Sequence, residues 1–117
     1  MMTWTRSAIA AAALVAASSL SAAASPMVGT WRGPDGAEIK IAQCSAGLCA
    51  TVASGPYRGA PVAEVSGSGP KYSGRVHDPR SGESYTGALV HQGNQIALEG
   101  CLMEVFCKTV QQWRRID

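Results

Sequence analysis

The sequence has few aromatic side chains and little net charge, and each shortage limits what the protein can be. One Phe, three Tyr and three Trp are present among 117 residues, so large rings for a hydrophobic core are scarce. Ten Lys and Arg residues stand against eight Asp and Glu residues, and the resulting net charge is only +2. Binding of nucleic acid requires a much more basic surface. We therefore expect no nucleic-acid partner.

Several motifs that carry chemistry are also missing. The sequence has no Cys-x-x-Cys, the spacing of redox-active dithiols, and no Gly-x-Ser-x-Gly, the nucleophile turn of many hydrolases. The glycine-rich stretch Gly67–Pro70 lacks the Lys-Ser or Lys-Thr that completes a phosphate-binding loop. The sequence thus predicts no cofactor and no catalytic residues, and it favours a protein that is not an enzyme.

Residues 1–24 have the pattern of a secretory signal peptide. One positive charge precedes an alanine-rich apolar run, Ser7–Leu20, and Ala22 and Ala24 then match the A-x-A cleavage pattern. The apolar run is shorter than the ~20 residues that cross a bilayer. We expect cleavage after Ala24 and a single domain over residues 25–117. We also expect no membrane span after cleavage and a periplasmic or secreted location.

Four cysteines form two closely spaced pairs, Cys44 with Cys49 and Cys101 with Cys107. Outside the cytoplasm such pairs persist as disulfides. Of the three possible connectivities we favour bonds within each pair, because a hairpin brings opposed Cα atoms within the ~4.4–6.8 Å that a disulfide needs. Long-range pairing is one alternative. A zinc site is another, but its cysteine pairs usually have about two to four intervening residues, so we expect no metal.

The rest of the chain has the pattern of short β-strands. Thirteen glycines and six prolines separate runs of β-forming residues at intervals typical of an all-β domain. The patterns predict about seven strands, at residues 28–32, 37–44, 49–53, 73–77, 83–91, 94–101 and 106–116. The segment 55–70 is expected to be the least ordered, with 61–65 as a short edge strand. We predict an all-β antiparallel meander that closes into a barrel or half-barrel and is stapled by two disulfides.

Two sets of residues show a resemblance to known families. Gly29-Thr30-Trp31 and Trp113-Arg114-Arg115 are similar to the lipocalin-like pattern, in which a late Arg covers an early Trp. A longer set comprises Gly29, Trp31, Ile39, Ile41, Cys44, Leu48, Cys49, Gly74, Val76, Asp78, Pro79, Gly82, Tyr85, Leu98, Gly100, Cys101, Cys107, Trp113 and Arg115. With its spacing, this set resembles the domain-of-unknown-function family 2147, small exported bacterial proteins. The resemblance implies a small exported β domain and no established activity.

The lipocalin-like pattern and the missing catalytic motifs favour binding over catalysis. We expect a barrel that is filled, or open only at one end. It would bind a small apolar ligand in its mouth, or an envelope protein at its surface. The residues predicted to contact the ligand are Trp31, Tyr85, Trp113 and Arg115.

The alternative function is a metal-dependent or acid/base enzyme. His77, Asp78 and Glu83 are the one cluster of titratable groups near a single loop, and His91 in the next hairpin could approach His77 across the sheet. Such groups act together when they lie within ~4–6 Å of one another. A structural interpretation competes with this one. Asp-Pro-Arg-Ser-Gly is a favoured turn sequence in which Asp78 would cap backbone N–H groups.

Overall fold

Eight antiparallel strands make up the part of the chain that the computed structural model describes, residues 25–103 and 105–117. They are β1 (Gly29–Arg32), β2 (Glu38–Cys44), β3 (Gly47–Val52), β4 (Pro61–Ser66), β5 (Lys71–His77), β6 (Ser84–Gln92), β7 (Gln95–Leu102) and β8 (Phe106–Arg115). Each strand pairs with the next, and β8 pairs with β1, so the sheet is a closed barrel. The predicted all-β meander closing into a barrel is therefore confirmed. The predicted signal peptide lies outside the described residues.

Strand β4 is where the prediction from sequence was wrong. Residues 61–65 were expected to form an edge strand in a poorly ordered segment, but β4 is paired on both sides, with β3 and with β5. Val62, Ala63 and Val65 are buried in the core. Pro61 is tolerated because it stands at the first position of the strand, where a missing N–H costs least. The Gly, Pro and Ser residues that suggested disorder belong to the loops on either side.

One end of the barrel, which we call the closed end, is filled by large side chains. Met27, Trp31 and Trp113 are buried there. The Nε1–H of Trp31 donates a hydrogen bond of 2.9 Å to the carbonyl oxygen of Met27. The guanidinium of Arg115 lies 4.4 Å from the centre of the Trp31 ring and also donates to the carbonyl oxygen of Pro26. Arg115 thus covers Trp31 as predicted, and Pro26 and Met27 are held across this end.

The opposite end, which we call the mouth, has an incomplete wall. Strand β1 pairs with β8 only through Trp31 opposite Arg115 and Arg32 opposite Arg114. Within the described residues, the first part of β8 is therefore paired with β7 alone. Because β1 ends at Arg32, the β7–β8 hairpin stands beside an opening in the barrel wall. The interior is packed toward the closed end and accessible at the mouth.

Both predicted disulfides are confirmed. Cys44–Cys49 joins β2 to β3 and Cys101–Cys107 joins β7 to β8, so no cysteine is free. Cys101 and Cys107 are directly opposed, as expected. Cys44 instead lies opposite Gly47, because the turn between β2 and β3 is shorter than predicted. Its bond to Cys49 therefore runs diagonally across the hairpin, over a Cα separation of 5.9 Å.

Replacing Cys101 and Cys107 with serine is expected to lower the free energy of unfolding by about 2 kcal/mol, because the bond closes a loop of only a few residues. Urea denaturation of the double variant measures this. The Cys44→Ser/Cys49→Ser variant is a matched control, since the sequence separations are 6 and 5. A loss above about 4 kcal/mol for either pair would contradict the loop-closure account.

Candidate functional site

The mouth of the barrel contains a cavity of about 680 Å³. Its floor is apolar and is built by inward-facing residues of β2, β3, β4 and β7, namely Ile39, Val52, Val62 and Leu98. Its rim is polar and comes from the loops between the strands, with contributions from Asp35, Tyr57, Asp78 and Arg80. An apolar floor beneath a polar rim is the common arrangement of a small-molecule site.

An ion pair links two of the loops that form the rim. Arg80, in the turn after β5, lies 3.3 Å from the carboxylate of Asp35, in the turn after β1. Both side chains are largely exposed, so water and salt screen the pair and it adds little stability. The guanidinium of Arg80 is therefore available at low cost to a polar group of a ligand.

Tyr85 is the predicted ligand residue that lines the cavity. Its ring lies over Gly100, where a Cβ atom would be only 2.6 Å from Tyr85 Cε2, so the glycine makes room for the ring. Partial burial, and secondarily the negative charges of Asp78 and Glu83, raise the pKa of the Tyr85 phenol. The phenol consequently stays protonated and can donate a hydrogen bond to a ligand.

A second concavity of about 680 Å³, which we call the hairpin groove, lies between the start of β6 and the β7–β8 hairpin. It is lined by Glu83, Ser84, Tyr85, Gly100, Cys101, Leu102, Phe106, Cys107, Lys108 and Val110. Tyr85 and Val110 line both concavities and so form their shared wall.

The end of the β7–β8 hairpin, which we call the hairpin tip, is an exposed apolar patch. Its members Leu102, Met103, Val105 and Phe106 are each at least 70% exposed. Isolated apolar residues are ordinary at a protein surface, but a contiguous group marks an interaction site. From sequence, only Phe106 among these four residues was placed in a predicted strand.

The acid/base cluster predicted from sequence is arranged differently in the structure. Asp78 is engaged in the turn, where its carboxylate accepts the N–H of Arg80 at 2.9 Å and its carbonyl accepts the N–H of Gly82 at 2.7 Å. His77 contacts Ser84 and Glu64 instead of Asp78 or Glu83. Within residues 25–103 and 105–117, no group of three His, Cys, Asp or Glu side chains could hold a metal ion.

His91 does not approach His77. It lies near the closed end, edge-on to the Trp31 ring with 6.0 Å between the ring centres. His77 is the last residue of β5, at the mouth. The two imidazoles are therefore at opposite ends of the barrel and cannot share a ligand.

The other predicted ligand residues are found together, away from Tyr85. Trp31, Trp113 and Arg115 all lie at the closed end, and the Nε1–H of Trp113 donates a 2.8 Å hydrogen bond to Gln111. The structure thus separates one predicted residue at the mouth from three at the closed end.

Two residues of the mouth region, Glu64 and Ser84, were not predicted from sequence. Ser84 could have been identified as a neighbour of His77 from sequence, because the turn after His77 places Ser84 directly opposite it. Glu64 could not have been identified in this way, since its position depends on how β4 is placed in the barrel.

No helix in the described residues is long and apolar enough to cross a membrane. No protein-family model, curated protein or solved structure matches this sequence.

Proposed function

We propose that this is an exported binding domain, similar to family 2147, that holds a small apolar ligand in the mouth of its barrel. Export is supported by the signal-peptide pattern of residues 1–24 and by two disulfides, which persist in oxidising compartments. The observation that carries the binding function is the mouth cavity, with its apolar floor and polar rim. Its volume of about 680 Å³ falls within the usual range for small-molecule sites.

The chemistry of the walls indicates what kind of ligand fits. Ile39, Val52 and Leu98 offer only hydrocarbon surface, so the part of the ligand that enters deepest must be apolar. The phenol of Tyr85 and the guanidinium of Arg80 lie nearer the solvent and both donate hydrogen bonds. The ligand that fits best is therefore a compact apolar molecule with one hydrogen-bond acceptor at the end that faces the solvent.

Binding of an envelope protein is a second candidate function, and the hairpin tip favours it. Its four exposed apolar side chains are adjacent to the mouth, since the hairpin groove shares Tyr85 and Val110 with the cavity. A partner that covered the tip would also cover the cavity. Ligand and partner would then influence each other's affinity.

Titration with the neutral apolar dye N-phenyl-1-naphthylamine tests the binding function. We expect saturable fluorescence enhancement with the native protein and at least a tenfold weaker affinity for Val110→Arg. Val110 is 43% exposed in the free protein, so the added charge would be buried only when an apolar ligand covers it, and burying an unpaired charge is costly. Thr109→Arg is the matched control, because Thr109 is exposed on the same strand and lines neither concavity. No saturable binding, or equal affinities for the two variants, would refute the proposal.

A further inference from the structure

Three side chains form a hydrogen-bonded chain at the mouth of the barrel. The hydroxyl of Ser84 lies 2.5 Å from Nδ1 of His77, and the carboxylate of Glu64 lies 2.7 Å from Nε2 of the same ring. Strands β4, β5 and β6 each contribute one member. The order serine, imidazole, carboxylate is that of a serine-hydrolase triad, with the two ring nitrogens exchanged.

Glu64 determines which nitrogen of His77 can act as a base. A carboxylate only accepts hydrogen bonds, so it holds the ring proton on Nε2. In the neutral imidazole Nδ1 then carries no proton, and it faces the hydroxyl of Ser84. Ser84 therefore donates its O–H to Nδ1 of His77, as a nucleophile donates to its general base.

The backbone around Ser84 supplies a second component. Asp78 and Glu83 form a hydrogen-bonded backbone pair, so the next pair along the hairpin, His77 and Ser84, is a non-hydrogen-bonded one. The N–H of Ser84 consequently turns away from β5 and toward β7. The register between β6 and β7 begins only at Gly87, which leaves this N–H directed into the hairpin groove. A nucleophile's own N–H is one of the donors that stabilise an oxyanion.

The groove itself defines the chemistry of the substrate. Ser84 lies on its wall together with Leu102, Phe106 and Val110. An apolar chain placed along these side chains would bring an attached carbonyl group to Ser84. The groove suits an acyl ester better than a peptide, because it offers hydrocarbon surface and few polar groups.

We propose that Ser84 is a nucleophile that hydrolyses apolar carboxylic esters bound in the hairpin groove. Ser84 Oγ bonds to the ester carbonyl carbon while its proton moves to Nδ1 of His77. The C–O bond to the alcohol then breaks, and the departing oxygen takes that proton. Water attacks the acyl-serine, gives a proton to Nδ1, and releases the carboxylic acid as the proton returns to Ser84. Glu64 is a positioning residue that acts through His77. The proposal goes beyond ligand binding in the mouth cavity, because it assigns a reaction to the hairpin groove.

Covalent labelling with a biotinylated fluorophosphonate, followed by peptide mass mapping, tests the nucleophile. Ser84 displaces fluoride from the phosphorus, and the probe should be found on Ser84. Labelling and hydrolysis of p-nitrophenyl butyrate should both fall to background in Ser84→Ala. Ser73→Ala is the matched control, because Ser73 is an exposed serine on neighbouring β5, and it should retain both. Labelling of Ser84 no faster than that of Ser73, or unchanged ester hydrolysis in Ser84→Ala, would overturn the proposal.

Variants of the other two residues separate catalysis from structure. Loss of a general base lowers rates by about 10²–10⁴-fold, so His77→Gln should reduce the labelling rate of Ser84 at least a hundredfold. Glu64→Leu should also reduce it, whereas Glu64→Gln should restore part of it, because the amide oxygen still accepts the Nε2–H. Circular dichroism checks that each variant is folded. Equal labelling rates for Glu64→Leu and Glu64→Gln would contradict the positioning role.

Discussion

Replacing Trp31 with alanine is expected to lower the free energy of unfolding by about 4 kcal/mol, the usual size for loss of a buried tryptophan. The ring is fully buried, its Nε1–H bonds to Met27, and it lies beneath the Arg115 guanidinium. Removing it leaves a cavity in the core and an unpaired carbonyl oxygen on Met27. A domain of this size has a total stability of only about 5–10 kcal/mol. The variant is therefore expected to keep only about 1–6 kcal/mol of stability.

Urea denaturation followed by far-UV circular dichroism measures the loss. Trp31→Phe should have an intermediate effect, because it keeps most of the apolar surface but loses the Nε1–H. Arg32→Ala is the neighbouring control, since the Arg32 side chain is exposed and such substitutions usually change stability by less than about 0.5 kcal/mol. A loss below about 1 kcal/mol for Trp31→Ala would contradict the packing role described for the closed end.

The fold was predictable from sequence wherever local turn chemistry determines the pairing. Asp78-Pro79-Arg80-Ser81-Gly82 predicts the hairpin of β5 and β6, and the structure places Gly82 at φ 78°, the left-handed position that the turn requires. Cys101 and Cys107 predict the β7–β8 pairing in the same local way. Each of these contacts joins residues close in sequence.

The features that were missed depend on contacts between distant residues. Strand β4 has loops on both sides rich in Gly, Pro and Ser, so only its pairing with β3 and β5 shows that it lies inside the wall. The opening at the mouth arises because β1 is four residues long and β8 is ten. Periodicity gives approximate strand lengths, but it cannot show which strands are neighbours.

The same distinction applies to the candidate sites. Ser84 could have been paired with His77 from the turn between them, whereas the approach of Glu64 follows from the register of β4 on β5. The covering of Trp31 by Arg115 was predictable only through the resemblance to lipocalin-like proteins. The sequence therefore identified single residues of each site, whereas the strand pairing in the barrel determines which of those residues lie together.

The barrel also gives the mouth two adjacent surfaces of different chemistry. The cavity presents an apolar floor to a ligand, and the hairpin groove presents Ser84. Tyr85 stands between them, held over Gly100. An occupant of one surface would contact the same phenol as an occupant of the other, so the two proposed activities should compete for Tyr85.

Gly74→Ala is expected to lower the free energy of unfolding by about 3 kcal/mol, the upper part of the range for overpacked cores. Gly74 lies opposite Gly87 in the barrel wall. A Cβ atom at Gly74 would overlap the carbonyl oxygen of Glu64 and lie 3.0 Å from the Cα atom of Val65. Both obstacles are backbone atoms, so no rotation of a side chain can relieve the contact and β4 must move.

Urea denaturation of Gly74→Ala measures the loss against Gly33→Ala, whose added Cβ would meet its nearest neighbours at an ordinary 3.6 Å. The control should change stability by less than about 1 kcal/mol. Because the displaced oxygen belongs to Glu64, the variant should also slow fluorophosphonate labelling of Ser84 under conditions where it remains folded. Equal stability of the two alanine variants would show that β4 and β5 are not packed as closely as described, and it would remove the basis for Glu64 as a fixed partner of His77.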